Sequence, residues 1–181
     1  MSTALHDRKL IRRFELMDAD HDGQLEREDY EALAERLVQG LDAPPESPKA
    51  RAVQDTYGRF WDEYISRMDA DGDGKVTKQE YIKAIDRQSF DQAAFDRAFK
   101  PHFQAVARLC DTDDDGMVSR EEFARMMRVH GVSAQEASAS FEQIDQDHDG
   151  TLSVDELVNA ARNYYLSDEP DVPGSSFFGN A

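Results

Sequence analysis

The stretch Asp145-Gln146-Asp147-His148-Asp149-Gly150-Thr151-Leu152-Ser153-Val154-Asp155-Glu156 decides how this chain is read. It follows the pattern D-x-D-x-D-G-x5-E. The same pattern recurs in full at Asp69 to Glu80 and at Asp111 to Glu122. A fourth copy, Asp18 to Asp29, departs only at its last position, where Asp stands in place of Glu. A single match could be an acidic, solvated loop; three full copies and one near copy in a row are not explained by composition.

The chemistry follows from the spacing. A hard cation such as calcium takes six to eight oxygen ligands in a flexible shell. Alternate residues of a tightly curled loop can all turn inward on one ion. In the last loop these are Asp145, Asp147 and Asp149, at positions 1, 3 and 5. Gly150 takes the sharp turn at position 6, Thr151 offers its backbone carbonyl at position 7, and Ser153 at position 9 acts through a water. Glu156, at position 12, is long enough to bring both carboxylate oxygens to the metal. The same offsets assign Asp111, Asp113, Asp115, the Met117 carbonyl and Glu122 to the third loop, and Asp69, Asp71, Asp73, the Lys75 carbonyl and Glu80 to the second. In the first they assign Asp18, Asp20, Asp22, the Gln24 carbonyl and Asp29. Asp29 is one methylene shorter than Glu, so the first loop is expected to close on a smaller, six-coordinate ion and to favour magnesium relative to calcium. The cofactor expected is therefore Ca2+, up to four ions, with Mg2+ competing at the Asp18–Asp29 loop.

Positions 9 and 12 also start the next helix. Ser153-x-x-Glu156, Ser119-x-x-Glu122 and Thr77-x-x-Glu80 are capping boxes, so the residues that end a loop also open its exit helix. Each loop carries an apolar residue at position 8: Leu25, Val76, Val118 and Leu152. These can pair loops through a short two-stranded contact, and the order of the chain pairs the first loop with the second and the third with the fourth.

The apolar residues around the loops recur at helical spacing, so the expected fold is all-α: four helix–loop–helix units in two paired lobes packed into one body. Leu10, Ile11, Phe14 and Met17 line an entering helix, and Gly40 ends the helix that leaves the first loop. Pro44, Pro45 and Pro48 mark a stiff linker at 42–49. One long helix is expected to carry Val53, Tyr57, Phe60, Trp61, Tyr64, Ile65 and Met68 into the second loop. Pro101 divides the apolar stretch before the third loop, and Gly131 ends the helix after it. The expected division is an N-terminal pair over 1–88, a C-terminal pair over 89–165 and a tail over 166–181. The tail holds Phe177 and Phe178, which would be costly exposed and are expected to dock on a lobe.

Composition narrows the function. The 181 residues are 39% hydrophobic and 9% aromatic, enough to bury a core. Net charge is −17, with 38 acidic against 21 basic residues, which argues against nucleic acid as a partner. No apolar run is long enough to span a membrane or to serve as a leader, so a cytoplasmic setting is expected. Cys110 is the only cysteine, which excludes an internal disulfide and reads as a buried thiol. The five His residues show no zinc spacing, and no nucleophile or phosphate-loop motif is present, so an enzyme is not expected. His21 and His148 stand at position 4 of their loops, where a side chain points to solvent.

The four loops, the proline-bearing gap between the first two and a tail ending in Pro-Gly and then Phe-Phe-Gly resemble a known group of EF-hand proteins, the sarcoplasmic calcium-binding proteins and calerythrins. The resemblance spans nearly the whole chain. It implies two lobes packed together, high-affinity calcium binding with some magnesium competition, and a role as an intracellular calcium buffer; a monomer is expected. The alternative is a calcium sensor that opens an apolar groove for a target protein. Such grooves are often rich in methionine, and the six Met residues here are better explained as core. Coelenterazine-binding photoproteins have similar length and spacing, but a chain with Trp61 as its only tryptophan is a poor match to their chromophore pocket.

Overall fold

Thr77, Ser119 and Ser153 each cap a helix by accepting the amide three residues on, and the glutamate at that third position reaches back to the capping amide. Ser133-x-x-Glu136 does the same for the helix that enters the fourth loop. These reciprocal bonds satisfy donors that a helix start leaves unpaired. They fix where each loop stops.

The computed structural model describes residues 4–85 and 90–179, so the expected division at 88/89 lies outside the described residues. Nine helices and four short strands are present among the described residues. In chain order they are α1 (Ala4–Met17), β1 (Gln24–Leu25), α2 (Arg27–Gly40), α3 (Pro48–Glu63), a 3-10 turn (Ile65–Met68), β2 (Val76–Thr77), α4 (Lys78–Ala84), α5 (Gln92–Ala98), α6 (Lys100–Cys110), β3 (Met117–Ser119), α7 (Arg120–Val129), α8 (Ala134–Ile144), β4 (Thr151–Ser153) and α9 (Val154–Leu166). The fold is all-α, with strands only between loops. β1 pairs antiparallel with β2, setting Leu25 opposite Val76, and β3 pairs with β4, setting Val118 opposite Leu152. All four of these side chains are fully buried.

Two expectations about helix limits are corrected. The helix into the second loop stops at Glu63 and continues as the 3-10 turn. Ser66 is the physical reason in view: its hydroxyl donates to the Asp62 carbonyl at 3.1 Å and competes with the helical backbone bond. The linker also ends earlier than residue 49. Ser47 caps α3 by accepting the Ala50 amide at 3.2 Å, and Pro48 opens the helix, where its missing N–H costs nothing. Pro101 likewise lies in the first turn of α6, after a break at Phe99.

The two halves share one core. α3 packs along α6, α2 against α7, and α1 against α4 and α9. Gly40 permits the second of these contacts, because a Cβ there would stand 2.3 Å from Val129 Cγ2. Residues of the C-terminal segment close the body: Phe177 and Phe178 are 2% and 1% exposed. Phe177 meets Phe103 and Phe123 edge-on, and Phe178 meets Tyr164. Ser140 donates to the Phe177 carbonyl and Arg12 to that of Phe178. Gly174 adopts a positive φ of 86° with its backbone against Ala160, where a Cβ would lie 2.3 Å from the carbonyl oxygen. Among the described residues no helix is long and apolar enough to cross a membrane.

Candidate metal centres

Each loop is braced by the same set of backbone bonds. The carboxylate at position 1 accepts the glycine amide at position 6: Asp18 from Gly23 at 3.0 Å, Asp69 from Gly74 at 2.9 Å, Asp111 from Gly116 at 3.1 Å and Asp145 from Gly150 at 3.1 Å. Position 3 accepts the amide of position 5, as Asp20 does from Asp22 and Asp113 from Asp115. Position 5 accepts the amide of position 7, which ties Asp22 to Gln24, Asp73 to Lys75, Asp115 to Met117 and Asp149 to Thr151. Position 4 turns through left-handed backbone in all four loops, at His21, Gly72, Asp114 and His148. Both histidines are exposed there.

The residue at position 12 closes the loop on itself. Glu80 accepts from the Ala70 and Thr77 amides, each at 2.8 Å, and Glu122 from those of Thr112 and Ser119. Glu156 accepts from Gln146 at 3.4 Å and Ser153 at 2.9 Å. Asp29, though shorter, spans the corresponding amides of Ala19 and Glu26 at 2.9 and 2.8 Å.

Carboxylate oxygens gather within 4.8 Å of one another in every loop. In the first two the groups are Asp18, Asp20, Asp22 and Asp69, Asp71, Asp73. In the last two they are Asp111, Asp113, Glu122 and Asp145, Asp147, Glu156. Asp29 and Glu80 thus stand outside their groups, as do Asp115 and Asp149. Gln24, Lys75, Met117 and Thr151 place their backbones in or beside the paired strands, at the necks of the loops.

These residues fit a hard cation. Three like charges at such separations repel in water and are relieved by a divalent ion. Asp18 and Asp145 are 6% and 5% exposed, and one oxygen of each is buried without a hydrogen-bond partner. A buried carboxylate oxygen left unpaired is costly unless something else takes up its charge.

The position-12 carboxylates differ electrostatically. Hydrogen bonds from the Thr77 amide, the Ala70 amide and the Thr77 hydroxyl hold Glu80 down to about 2. Burial works to raise Glu122, but bonds from the Thr112 hydroxyl and amide and from Ser119 outweigh it and keep it low. Asp29 is pushed up, by burial first, against its two amide bonds, and Asp20 and Asp18 push it further.

Two lysines enter the loops as internal cations. Lys75 Nζ contacts Glu26 and lies 3.8 Å from Asp22 Oδ2, so loop two lends a charge to loop one. Lys49, at the start of α3, contacts Asp114 and the Asp111 carbonyl and lies 4.0 Å from the Asp111 carboxylate. Sequence reasoning named Lys75 for its carbonyl alone and did not find Lys49; nothing in local spacing points to either ion pair. Cys110 is a buried free thiol, pushed up by burial and by the nearby Glu122 and Asp111.

Four acidic loops, paired back to back through short strands and each flanked by two helices, define a helix–loop–helix cation-binding protein. Comparison with known proteins agrees. The EF-hand domain pair matches residues 7–86, and the EF hand matches residues 108–127 and 138–160. Calerythrin from Saccharopolyspora erythraea is 29% identical over 168 residues, covering 92% of this chain and 95% of that protein. The beta chain of the sarcoplasmic calcium-binding protein from Penaeus sp. is 30% identical over 161 residues, covering 85% and 81%. A solved structure of a Streptomyces coelicolor calcium-binding protein, described as a basis for prokaryotic calcium-mediated regulation, superposes with a TM-score of 0.79 at 26% identity. It covers 89% of this chain and 98% of the other. The chain belongs to the calcium-binding EF-hand family that includes the sarcoplasmic calcium-binding proteins and calerythrin. The Penaeus relative is by name a calcium-binding protein.

Proposed function

We propose that the protein is a calcium buffer, which takes up ions without presenting a new surface to a target. Asp18, Asp20, Asp22 and Asp29, and their counterparts in the other loops, serve as side-chain ligands, with the carbonyls of Gln24, Lys75, Met117 and Thr151. The first loop, closed by Asp29, is the one in which magnesium competes best. A single cysteine, buried as a thiol, suits the reducing interior of a cell.

The observation that carries this reading is the use already made of the apolar helix faces. Phe177 and Phe178 fill the C-terminal pair, α2 and α7 cover one another, and Met17, Met126 and Met127 are buried in the shared core. A sensor needs such a surface free, or able to be freed, when calcium arrives. Likeness to the Streptomyces protein of calcium-mediated regulation favours that second reading.

Fluorescence of an apolar dye, with and without calcium on a constant magnesium background, separates the two. A buffer gives little rise, or a fall, while calorimetry records calcium uptake. A large rise on adding calcium would mean that a groove opens, and the sensor reading would replace the buffer.

A further inference from the structure

Where α1, α3, α6 and the end of α7 meet the C-terminal segment lies a small cavity of about 10 Å³. That is room for about one water-sized occupant. Its wall includes Arg13, Tyr57, His102 and His130, together with Phe177 and Phe178. All six are at most 4% exposed. Among the described residues no carboxylate lines it.

Four polar atoms here lack a well-formed hydrogen bond among the described residues, although the Tyr57 hydroxyl and the Arg13 guanidinium lie close enough to interact. They are Nε and Nη1 of Arg13, Oη of Tyr57 and Nδ1 of His102, all buried. His130, by contrast, is satisfied, its Nδ1 lying 3.0 Å from the Met126 carbonyl. Burial, reinforced by Arg13 and then His130, pushes His102 well below its ordinary value, so its ring is neutral and one nitrogen can carry a hydrogen. Arg13 has no such escape, because a guanidinium does not give up its proton in a folded protein. Its Cζ sits 4.2 Å from the Phe178 ring centroid, and that contact offsets only part of the cost of a buried charge. A water in the cavity would satisfy hydrogen bonds and leave the charge uncompensated. A small monatomic anion would do both.

We propose that this cavity is a binding site for a monatomic halide, with chloride as the physiological ion, held by Arg13, Tyr57 and His102. Each of the three can present an N–H or O–H to the ion, and aromatic walls complete the shell. Oxyanions and carboxylates, with three or more heavy atoms, need far more room than a single sphere. The halide lies beneath Phe177 and Phe178, so it ties the C-terminal segment to helices of both halves.

Thermal unfolding of the full chain in saturating calcium tests this, with sodium chloride replaced stepwise by sodium methanesulfonate at constant ionic strength. Methanesulfonate is too large for the cavity. The expected result is a midpoint that climbs about 3–5 °C for each tenfold rise in chloride above its Kd. Crystals grown in bromide should show an anomalous peak within hydrogen-bond distance of Arg13. Tyr57→Phe keeps the ring, removes one donor and should shift the chloride dependence to severalfold higher concentration. Equal midpoints in chloride and methanesulfonate, or a bromide crystal without the peak, would mean the occupant is water and would overturn the proposal. An unaltered chloride dependence in Tyr57→Phe would overturn the ligand set.

Discussion

Loops one and two are joined by β1 and β2 and match at positions 1, 3, 5 and 6, yet their closing carboxylates stand in different surroundings. Glu80 is held as a strong acid by its bonds to Thr77 and Ala70. Asp29 makes the equivalent pair of amide bonds, but burial makes it a weaker acid. Both lie apart from the oxygens gathered in their loops, whereas Glu122 and Glu156 lie within theirs. The comparison separates two jobs of position 12. Bracing the loop backbone needs only a carboxylate that reaches two amides, and Asp does that. Reaching on to an ion with both oxygens needs the extra methylene, and there Glu and Asp part company.

The largest expected effect tests that separation directly. Glu80→Gln removes a charged, two-oxygen ligand and should weaken calcium at loop two by about 100-fold. Asp29→Asn should cost loop one about tenfold. Calorimetric titration with site assignment by NMR reads both, and equal losses would erase the distinction. Asp29→Glu sharpens it from the other side. Restoring the methylene should raise the calcium-to-magnesium preference of loop one by about tenfold, and an unchanged ratio would show that length at position 12 does not set selectivity here.

Acid should separate the loops next. A proton competes with the cation for the closing carboxylate. Asp29, shifted up, takes that proton at higher pH than Glu80, which stays ionised down to about pH 2. As pH falls from 7 to 4, calcium affinity at loop one should therefore drop severalfold before loop two responds. In the ion-free fold the two groups act with opposite sign. Glu80 contributes stability that is present above the ordinary glutamate range and lost as pH falls through about 2. Asp29 favours its protonated form, so its contribution is largest in acid and lost as pH rises through its raised value. The amide signals of Gly23 and Gly74 during calcium titrations at several pH values report the loops separately. Loss of both in step would mean that the two carboxylates titrate alike.

The loops themselves were legible because ligand geometry demands fixed residue types at fixed offsets. Val118 opposite Leu152, and the four capping boxes that begin with Ser or Thr, were readable from local spacing; the fifth, Glu26 with Asp29, was not. What the sequence hid came from distant partners. Lys9 and Arg13 lie on α1 where the apolar pattern assigns no core role, yet both are buried. Lys9 donates to the Ser167 carbonyl, and Tyr164 donates to that of Lys9, across more than 150 residues. Arg13 is covered by Phe178. Helical periodicity sees one segment at a time and cannot show that a polar side chain will be enclosed by another end of the chain. The break at Tyr64 escaped for a different reason: a serine that bonds back to its own helix leaves no mark in the apolar stripe.

Lys75 carries the smallest expected effect and the finest test of how the first two loops differ. Its side chain leaves loop two and pairs with Glu26 and Asp22 of loop one, so loop one holds a cation that loop two supplies. An entering divalent ion must share Asp22 with that ammonium or displace it. Lys75 and Asp22 are each 37% exposed and Glu26 33%, so solvent screens the pairs and each contributes little. Lys75→Met should then raise calcium affinity at loop one about two- to fivefold and leave the strand pairing intact, because the residue serves loop two only through its backbone. The gain should shrink in high salt, where the ammonium is already screened. A fall in loop-one affinity instead would mean that Lys75 holds Asp22 and Glu26 in place for the ion, and that the second loop assists the first rather than competing for its charge.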